Sequence, residues 1–424
     1  MRDTAVDLAK AFCLLVVVGM HAMMAGVTVG AGGLVVTNTL AGHPVFAWAT
    51  WILQVMPLFF LLGGFSSITQ WRRMRDQGAT SGDYIRQRVH RLARPAVLPI
   101  ALVGGTLALL TLTDISPELL SEVGFRIGQP LWFLAVYVGC SAFVPLLTRL
   151  HEASPRITLG ALLGAAVLVD AVSLTFHLPA LGAFNFLFVW LFIQQLGFWY
   201  ADGAFSAPRW QLLAGSVACY GILFFLTLVV GYSKDMYENL NPPTLCILVL
   251  GVGQLLLFTF LHPYLSHLAA MPLFRASSDV INRNSMTIYL WHVPVVVMIA
   301  LTMVSMSMSM PEPLSQYWWE TRPLFLGLVT IALIPIVFLV ARWEKSRRAK
   351  TPAPISPLLA TVKAFLSVAG VATILVVGFT PVWSWAIGLT LIMLSVRISP
   401  REKPVPVNED GPTKAAVDPA SAAG

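Results

Sequence analysis

Charge is what this chain has least of. Only 11% of its 424 residues are Asp, Glu, Lys or Arg, while 57% are apolar, where a soluble globule carries about 25% charged residues. With a mean hydropathy of +0.76, the composition excludes a water-soluble enzyme. Cysteine is equally sparse. Cys13, Cys140, Cys219 and Cys246 each fall inside an apolar run and share no metal-ligand spacing, so they read as small packing residues. No metal motif, glycine-rich phosphate loop or Gly-x-Ser-x-Gly elbow appears. There is no internal repeat, which argues against an inverted-repeat transporter. The first apolar run is too long for a signal-peptide core and no small-residue cleavage site closes it, so it reads as a retained span.

What the chain does have is about twelve apolar runs of membrane-spanning length, at 8–29, 44–69, 94–113, 130–149, 157–176, 184–201, 211–231, 243–262, 284–307, 324–342, 359–378 and 381–397. These predict an all-α polytopic bundle of about ten core spans plus two C-terminal ones. Arginine and lysine crowd alternate loops, with Arg72, Arg73, Arg75, Arg86, Arg88, Arg91 and Arg94 in one of them. The opposite loops hold only Arg126, Lys234 and Arg322. By the positive-inside rule both termini are cytoplasmic in a multi-pass protein of the cell membrane. The net charge of +7 is then a topology signal and implies no nucleic-acid partner. The polar intramembrane residues lie in 1–342, a core. A basic linker follows at 343–358, then two plain helices at 359–397, then a tail at 398–424 whose Pro, Ala, Asp and Lys predict disorder.

An ionisable side chain deep in a span is expensive and reads first as functional. His21 is such a residue, and Lys10 precedes it by eleven positions on the same run. On a helix that is roughly 16 Å and close to three turns, so the two share a face. Neutral histidine takes protons from hydroxyls near neutral pH. Asp7 falls at the surface, as a cap or a partner for a loop arginine. Seven arginines between Arg72 and Arg94 suit phosphates, whose oxygens match the guanidinium fork; anchoring on anionic lipid is the plain alternative and fits Arg72, Arg73 and Arg75 best. Ser81 is a candidate N-cap. Ser285, Tyr289 and His292 stand at i, i+4 and i+7, a polar stripe facing the bundle interior, where it lines a substrate path or bonds neighbouring helices. Trp132 opens span four at the outer interface. Asn239 and Asn241 precede Pro242-Pro243 before span eight, where an asparagine can hold a hydroxylated acceptor or simply shape the turn. Asp170, Gln194 and Gln195 are further intramembrane polar groups, and Gly63-Gly64 permits close helix packing.

In this order the segments Asp7 to His21, Met56 to Phe65, Arg86 to Pro95, Leu131 to Leu134 and Asn284 to His292 resemble the acyltransferase type 3 family of membrane acyltransferases; Leu196 to Trp199 and Asn241 to Thr244 are similar to its actinobacterial variant. The resemblance spans roughly residues 1–342. It implies a bundle of about ten helices that passes an acyl group, usually acetyl, from cytoplasmic acyl-CoA to a hydroxyl of an envelope glycan, glycolipid or related metabolite. The donor is a co-substrate; no tightly bound cofactor and no metal is implied. His21 matches the family's essential histidine; from their place on the span-nine stripe, His292 or Tyr289 is the candidate to orient it or to stabilise an oxyanion. Lys10 stands where the family has arginine, which keeps the charge but loses the bidentate fork. Arg86 and Arg88 match an arginine pair expected, with Lys10, to hold the CoA phosphates; Trp132, Asn241 and Ser285 are the substrate-side candidates. The partners implied are the bilayer, acyl-CoA, the hydroxylated acceptor and envelope-assembly proteins, which any onward transfer would need. The rival readings are a proton-coupled transporter or flippase of a glycan or lipid, with His21 as relay, and a non-catalytic scaffold.

Overall fold

A computed structural model describes residues 3–30, 33–306, 311–312, 314–345, 354–380 and 382–397. Arg2, Arg347, Arg348, Lys350 and the tail 398–424 lie outside the described residues. Among the described residues seventeen α-helices run in chain order: α1 Thr4–Met24, α2 Pro44–Leu53, α3 Met56–Asp76, α4 Ser81–Ala93, α5 Val97–Leu110, α6 Pro117–Gly128, α7 Trp132–Ala153, α8 Pro155–Thr175, α9 Pro179–Gly182, α10 Asn185–Ala201, α11 Arg209–Phe225, α12 Leu245–Ala270, α13 Pro272–Arg283, α14 Ser285–Ser305, α15 Gln316–Lys345, α16 Pro357–Val377 and α17 Val382–Arg397. Among the described residues, eleven helical stretches are long and apolar enough to cross a membrane, and Val382–Arg397 is a shorter apolar helix. The chain is an all-α polytopic bundle.

The structure departs locally from the sequence expectations at two spans and two helix caps. The first span does not stay helical to residue 29. After Met24 the chain turns into an antiparallel hairpin, β1 Ala25–Gly30 paired with β2 Gly33–Asn38 in the register Ala25 to Asn38. Val27, Thr28 and Val29 are β-branched and glycines flank them, so the segment prefers extended backbone. The helix start is capped by Asp3, which accepts from the Ala5 and Val6 amides at 3.0 and 3.1 Å; Asp7 sits one turn in. Likewise Thr80, not Ser81, caps α4, in a capping box closed by Asp83.

The second apolar run is two helices. Pro57 removes a backbone donor and ends α2 before α3 begins. The freed groups are met by a side chain from far along the chain: Gln254 Nε2 donates to the Gln54 carbonyl at 2.8 Å, and Gln254 Oε1 accepts from the Leu58 amide at 3.0 Å. A broken helix inside a bilayer is tolerated only where protein re-satisfies its backbone in this way.

Helix α3 then lies against α10 almost backbone to backbone. A Cβ on Gly64 would strike the Gln194 carbonyl, and one on Gly197 the Leu61 carbonyl. One large core joins α1, α3, α4, α7, α10, α12, α14 and α16. Two smaller clusters flank α1: Ala22 packs with Val295, Val296, Phe325 and Val329, and Met20 packs with Leu40, Phe46 and Trp318. Buried Asp170 accepts from Asn185 Nδ2, the Tyr232 hydroxyl and the Leu245 amide at 3.1, 3.0 and 2.8 Å, tying α8 to α10 and to the start of α12. Where α3, α7 and α10 finish, Arg72 and Arg75 pair with Glu152, and Arg72 and His151 pair with Asp202. Helices α16 and α17 pack against α4, α5 and α7. They meet each other at Gly370 and Gly388, and the Ser367 hydroxyl donates to that of Ser395 at 2.7 Å.

Candidate active site

Helices α1 and α14 bring two histidines together. His292 Nε2 lies 3.2 Å from His21 Nδ1, and the rings meet edge to face with centroids 5.0 Å apart. Each ring is also anchored by a carbonyl one turn back on its own helix: His21 Nδ1 to Val17 O at 2.9 Å and His292 Nδ1 to Tyr289 O at 2.5 Å. A carbonyl only accepts, so each Nδ1 carries the hydrogen. His292 Nε2 is then a lone pair, and the His21 Nδ1–H is shared between Val17 O and that lone pair. The same assignment leaves His21 Nε2 as a basic nitrogen, and no described residue bonds to it. His292 is fully buried, whereas His21 is half-buried.

A cavity of about 160 Å³ lies close to this pair, reaching Val17 and Tyr289 one turn from the imidazoles, though neither histidine is on its lining. Asp7, Lys10, Asn282 and Ser285 line one part of it, Arg88 and Arg91 another, and Leu14, Met56, Phe59 and Phe133 form apolar wall. Val17 and Tyr289, whose carbonyls anchor the two imidazoles, are also on its lining. The cavity thus combines cations at the α1 start with apolar surface toward the histidines. Asn282 Nδ2 donates to the Asp7 carbonyl at 2.7 Å, fastening α13 to α1. Lys10 donates to the Ser66 hydroxyl. Arg88 is 6% exposed and donates to the Tyr137 hydroxyl at 3.3 Å and Ser141 Oγ at 3.4 Å; its Nε is buried without a partner. No described carboxylate pairs with it, so its charge is directed at the cavity.

Helical geometry separates the arginine pair. Arg86 and Arg88 are two residues apart on α4 and cannot face the same way. Arg86 pairs with Asp83 at 3.0 Å and does not line the cavity. Arg91, three residues from Arg88, does. The Tyr289 hydroxyl donates to the Pro130 carbonyl at 2.6 Å and its ring meets Phe133 at 4.9 Å, so that hydroxyl is directed away from His21. Trp132 stacks on Trp190 at 5.6 Å, behind the wall. Asn241 is exposed in the turn before α12 and touches no part of the cavity. Its neighbour Asn239 shapes that turn, donating to the Ser233 and Asp235 carbonyls at 2.7 and 3.0 Å. Ser285 is on the cavity lining, two turns before His292 on α14. Tyr137 and Asn282 were not singled out from sequence, and Arg91 was read only as one of the seven loop arginines; the i, i+3 spacing of Arg88 and Arg91 was the available signal. Among the described residues no group of three or more His, Cys, Asp or Glu side chains is arranged to hold a metal ion.

A second polar chain sits where α7 and α10 end. Gln195 Nε2 donates to His151 Nδ1 at 2.6 Å and His151 Nε2 meets Asp202 Oδ2 at 2.9 Å. Burial alone would raise the Asp202 carboxyl; the hydrogen bonds from Arg72 and His151 outweigh it and hold the group below its ordinary value.

A family model described as an acyltransferase domain, the acyltransferase type 3 family, matches residues 3–342. That is most of the chain, and the protein belongs to this family of membrane acyltransferases. No curated protein and no solved structure matches it. Helices α16 and α17 lie beyond the matched region.

Proposed function

We propose that this protein is an integral O-acyltransferase of the cell membrane, moving an acyl group, acetyl first, from cytoplasmic acyl-CoA to a hydroxyl of an envelope glycan, glycolipid or related metabolite. The observation that carries the reading is a cationic cavity that runs along α1 as far as Val17, one turn short of His21, whose Nε2 is left as a basic nitrogen. The CoA phosphates bind Arg88, Arg91 and Lys10. The pantetheine arm follows α1 over roughly the 16 Å between Lys10 and His21, bringing the thioester to the imidazole. The acceptor hydroxyl gives its proton to His21 Nε2 while its oxygen bonds to the thioester carbon. The C–S bond then breaks, and the departing thiolate takes that proton to leave as CoA. During this step the His21 Nδ1–H holds Val17 O and the His292 lone pair, which keeps the ring oriented and favours its charged form. Tyr289 is a positioning residue, through its carbonyl, rather than a proton donor.

The test is CoA release from acetyl-CoA by purified protein in proteoliposomes, with an envelope glycolipid extract as acceptor, wild type beside His21→Ala. Release that needs both the extract and His21 supports the reading. Full activity in a folded His21→Ala protein would falsify it.

A further inference from the structure

Of the cations assigned to the outer side, Arg126 pairs with Glu122 at 2.7 Å, and Lys234 is exposed with its ammonium 5.8 Å from the centroid of Trp48. Arg322, on α15, differs from both. It is 4% exposed. Its guanidinium carbon lies 4.5 Å from the Trp318 ring centroid and 4.9 Å from that of Phe325. Nη1 makes one long bond, 3.4 Å, to the Ala25 carbonyl, and Nε is buried without a partner. No described carboxylate pairs with it. Aromatic faces offset part of the cost of burying a guanidinium, but they leave its in-plane N–H groups unfilled. A buried charge in a membrane protein is retained where something binds it.

Its position says what binds. Ala25 follows His21 by one turn, and its amide donates to the His21 carbonyl. Phe325 packs in one cluster with Ala22, and Trp318 in another with Met20. Arg322 therefore stands about 6 Å along the α1 axis beyond His21, in the direction opposite to the Lys10 end of the cavity. On the acyl-transfer reading above, that is the side from which the acceptor comes.

We propose that Arg322 is an acceptor-side anion site, and that the true acceptor carries a carboxylate or a phosphodiester close to the hydroxyl that is acylated. The proposal rests on the acyl-transfer reading. An imidazolium forms at His21 as the hydroxyl is deprotonated. An uncompensated guanidinium one turn away opposes that charge in a medium of low dielectric. An anion on the acceptor removes the opposition and fills the vacant donors at once. The charge is thus used in turnover as well as in binding, and neutral acceptors lose on both counts.

The experiment compares three amphiphilic probes as acceptors of acetyl from acetyl-CoA in proteoliposomes: octyl β-glucoside, octyl β-glucuronide and glucose joined to an octyl chain through a phosphodiester. The wild type should show kcat/KM at least tenfold higher for one or both anionic probes, and which of the two is favoured tells a sugar carboxylate from a lipid-linked phosphate. Arg322→Gln should bring the anionic probes down to the neutral one, and Arg322→Lys should restore part of the preference. Equal use of all three by the wild type, or a preference that survives in Arg322→Gln, overturns the proposal. Transfer to none of the probes by the wild type speaks against the acyl-transfer reading or these acceptors, not against the anion site. Equilibrium binding with CoA saturating the donor side then decides. Tighter binding of the anionic probes that Arg322→Gln abolishes supports the site, and equal binding sinks it.

Discussion

His292 touches His21, and on the acyl-transfer reading it holds the ring that reacts, so the two residues should fail differently when changed. His21→Ala removes the base and should cost about 10²–10⁴ in kcat. His292→Ala removes one hydrogen bond to a ring that becomes charged, about 1.5–3 kcal/mol, which is roughly 10- to 150-fold in kcat. KM for acetyl-CoA should stay put, because His292 lies beyond the cavity lining; a rise in KM with kcat intact would assign it to donor binding instead. Arg88→Met should raise the acetyl-CoA KM by about tenfold or more, given about 1.5–3 kcal/mol for a charged hydrogen bond, while Arg86→Met should leave it close to wild type. Equal effects from the two would refute the split made by α4. That split marks how far single residues could be read in advance. The Lys10 to His21 face was legible because both lie in one uninterrupted apolar run, where helical phase is safe. The arginines were read as a pair along a loop, and only once they are placed on α4 does the 200° between i and i+2 exclude Arg86. The carbonyl anchors at Val17 and Tyr289 were out of reach, since backbone groups leave no trace in residue identity.

The apolar elements were plain in the sequence because spanning length is an average over many residues, but where they break was not. The break between α2 and α3 depends on Gln254, almost two hundred positions away, and the residue types around Pro57 fit equally well in a kinked single helix. Gln254→Leu should leave the Gln54 carbonyl and the Leu58 amide without partners, at about 1–3 kcal/mol each. The expected outcome is a clear fall in melting temperature in detergent, with Gln254→Glu falling less than Leu. A Leu variant as stable as wild type would mean that water or a neighbouring group satisfies the break. The contact of α3 with α10 makes a parallel case. Gly63-Gly64 signalled close packing, yet the partner glycine, Gly197, is found only by assembling the helices. Gly197→Val should force α3 and α10 apart and destabilise by about 1–3 kcal/mol or more, the usual cost of overpacking. The hairpin after Met24 shows the opposite failure. There, hydrophobicity continued while β-branching and glycine had already changed the preferred backbone.

For the molecule as a whole, α16 and α17 were expected as an addition to a complete core, and they pack as part of it. The Ile355 carbonyl lies against Gly82 on α4 and the Trp385 ring against Gly104 on α5, each too close for a side chain larger than hydrogen. The helix carrying Arg88 is therefore backed by residues outside the matched family region. Gly82→Val should raise the acetyl-CoA KM as well as lower stability; a change in stability alone would make α16 a buttress with no bearing on the donor. Asp202 fastens the ends of α3, α7 and α10. Its folded pKa lies below its unfolded one, so its stabilising effect is present above about pH 4 and fades as pH falls through the folded value. Melting temperature should thus drop on acidification below about pH 4, with a smaller drop in Asp202→Asn. One last consequence belongs to the histidine pair. A bilayer that stores an electrochemical gradient is endangered by any chain of groups able to hand hydrogen ions across it. The His21 Nδ1–H is shared between the Val17 carbonyl and His292 Nε2, and beyond that ring the His292 Nδ1–H ends on the Tyr289 carbonyl, which passes nothing on. The pair is thus a dead end for proton relay, and on the acyl-transfer reading a group deep in the membrane does acid–base chemistry without short-circuiting the cell that houses it.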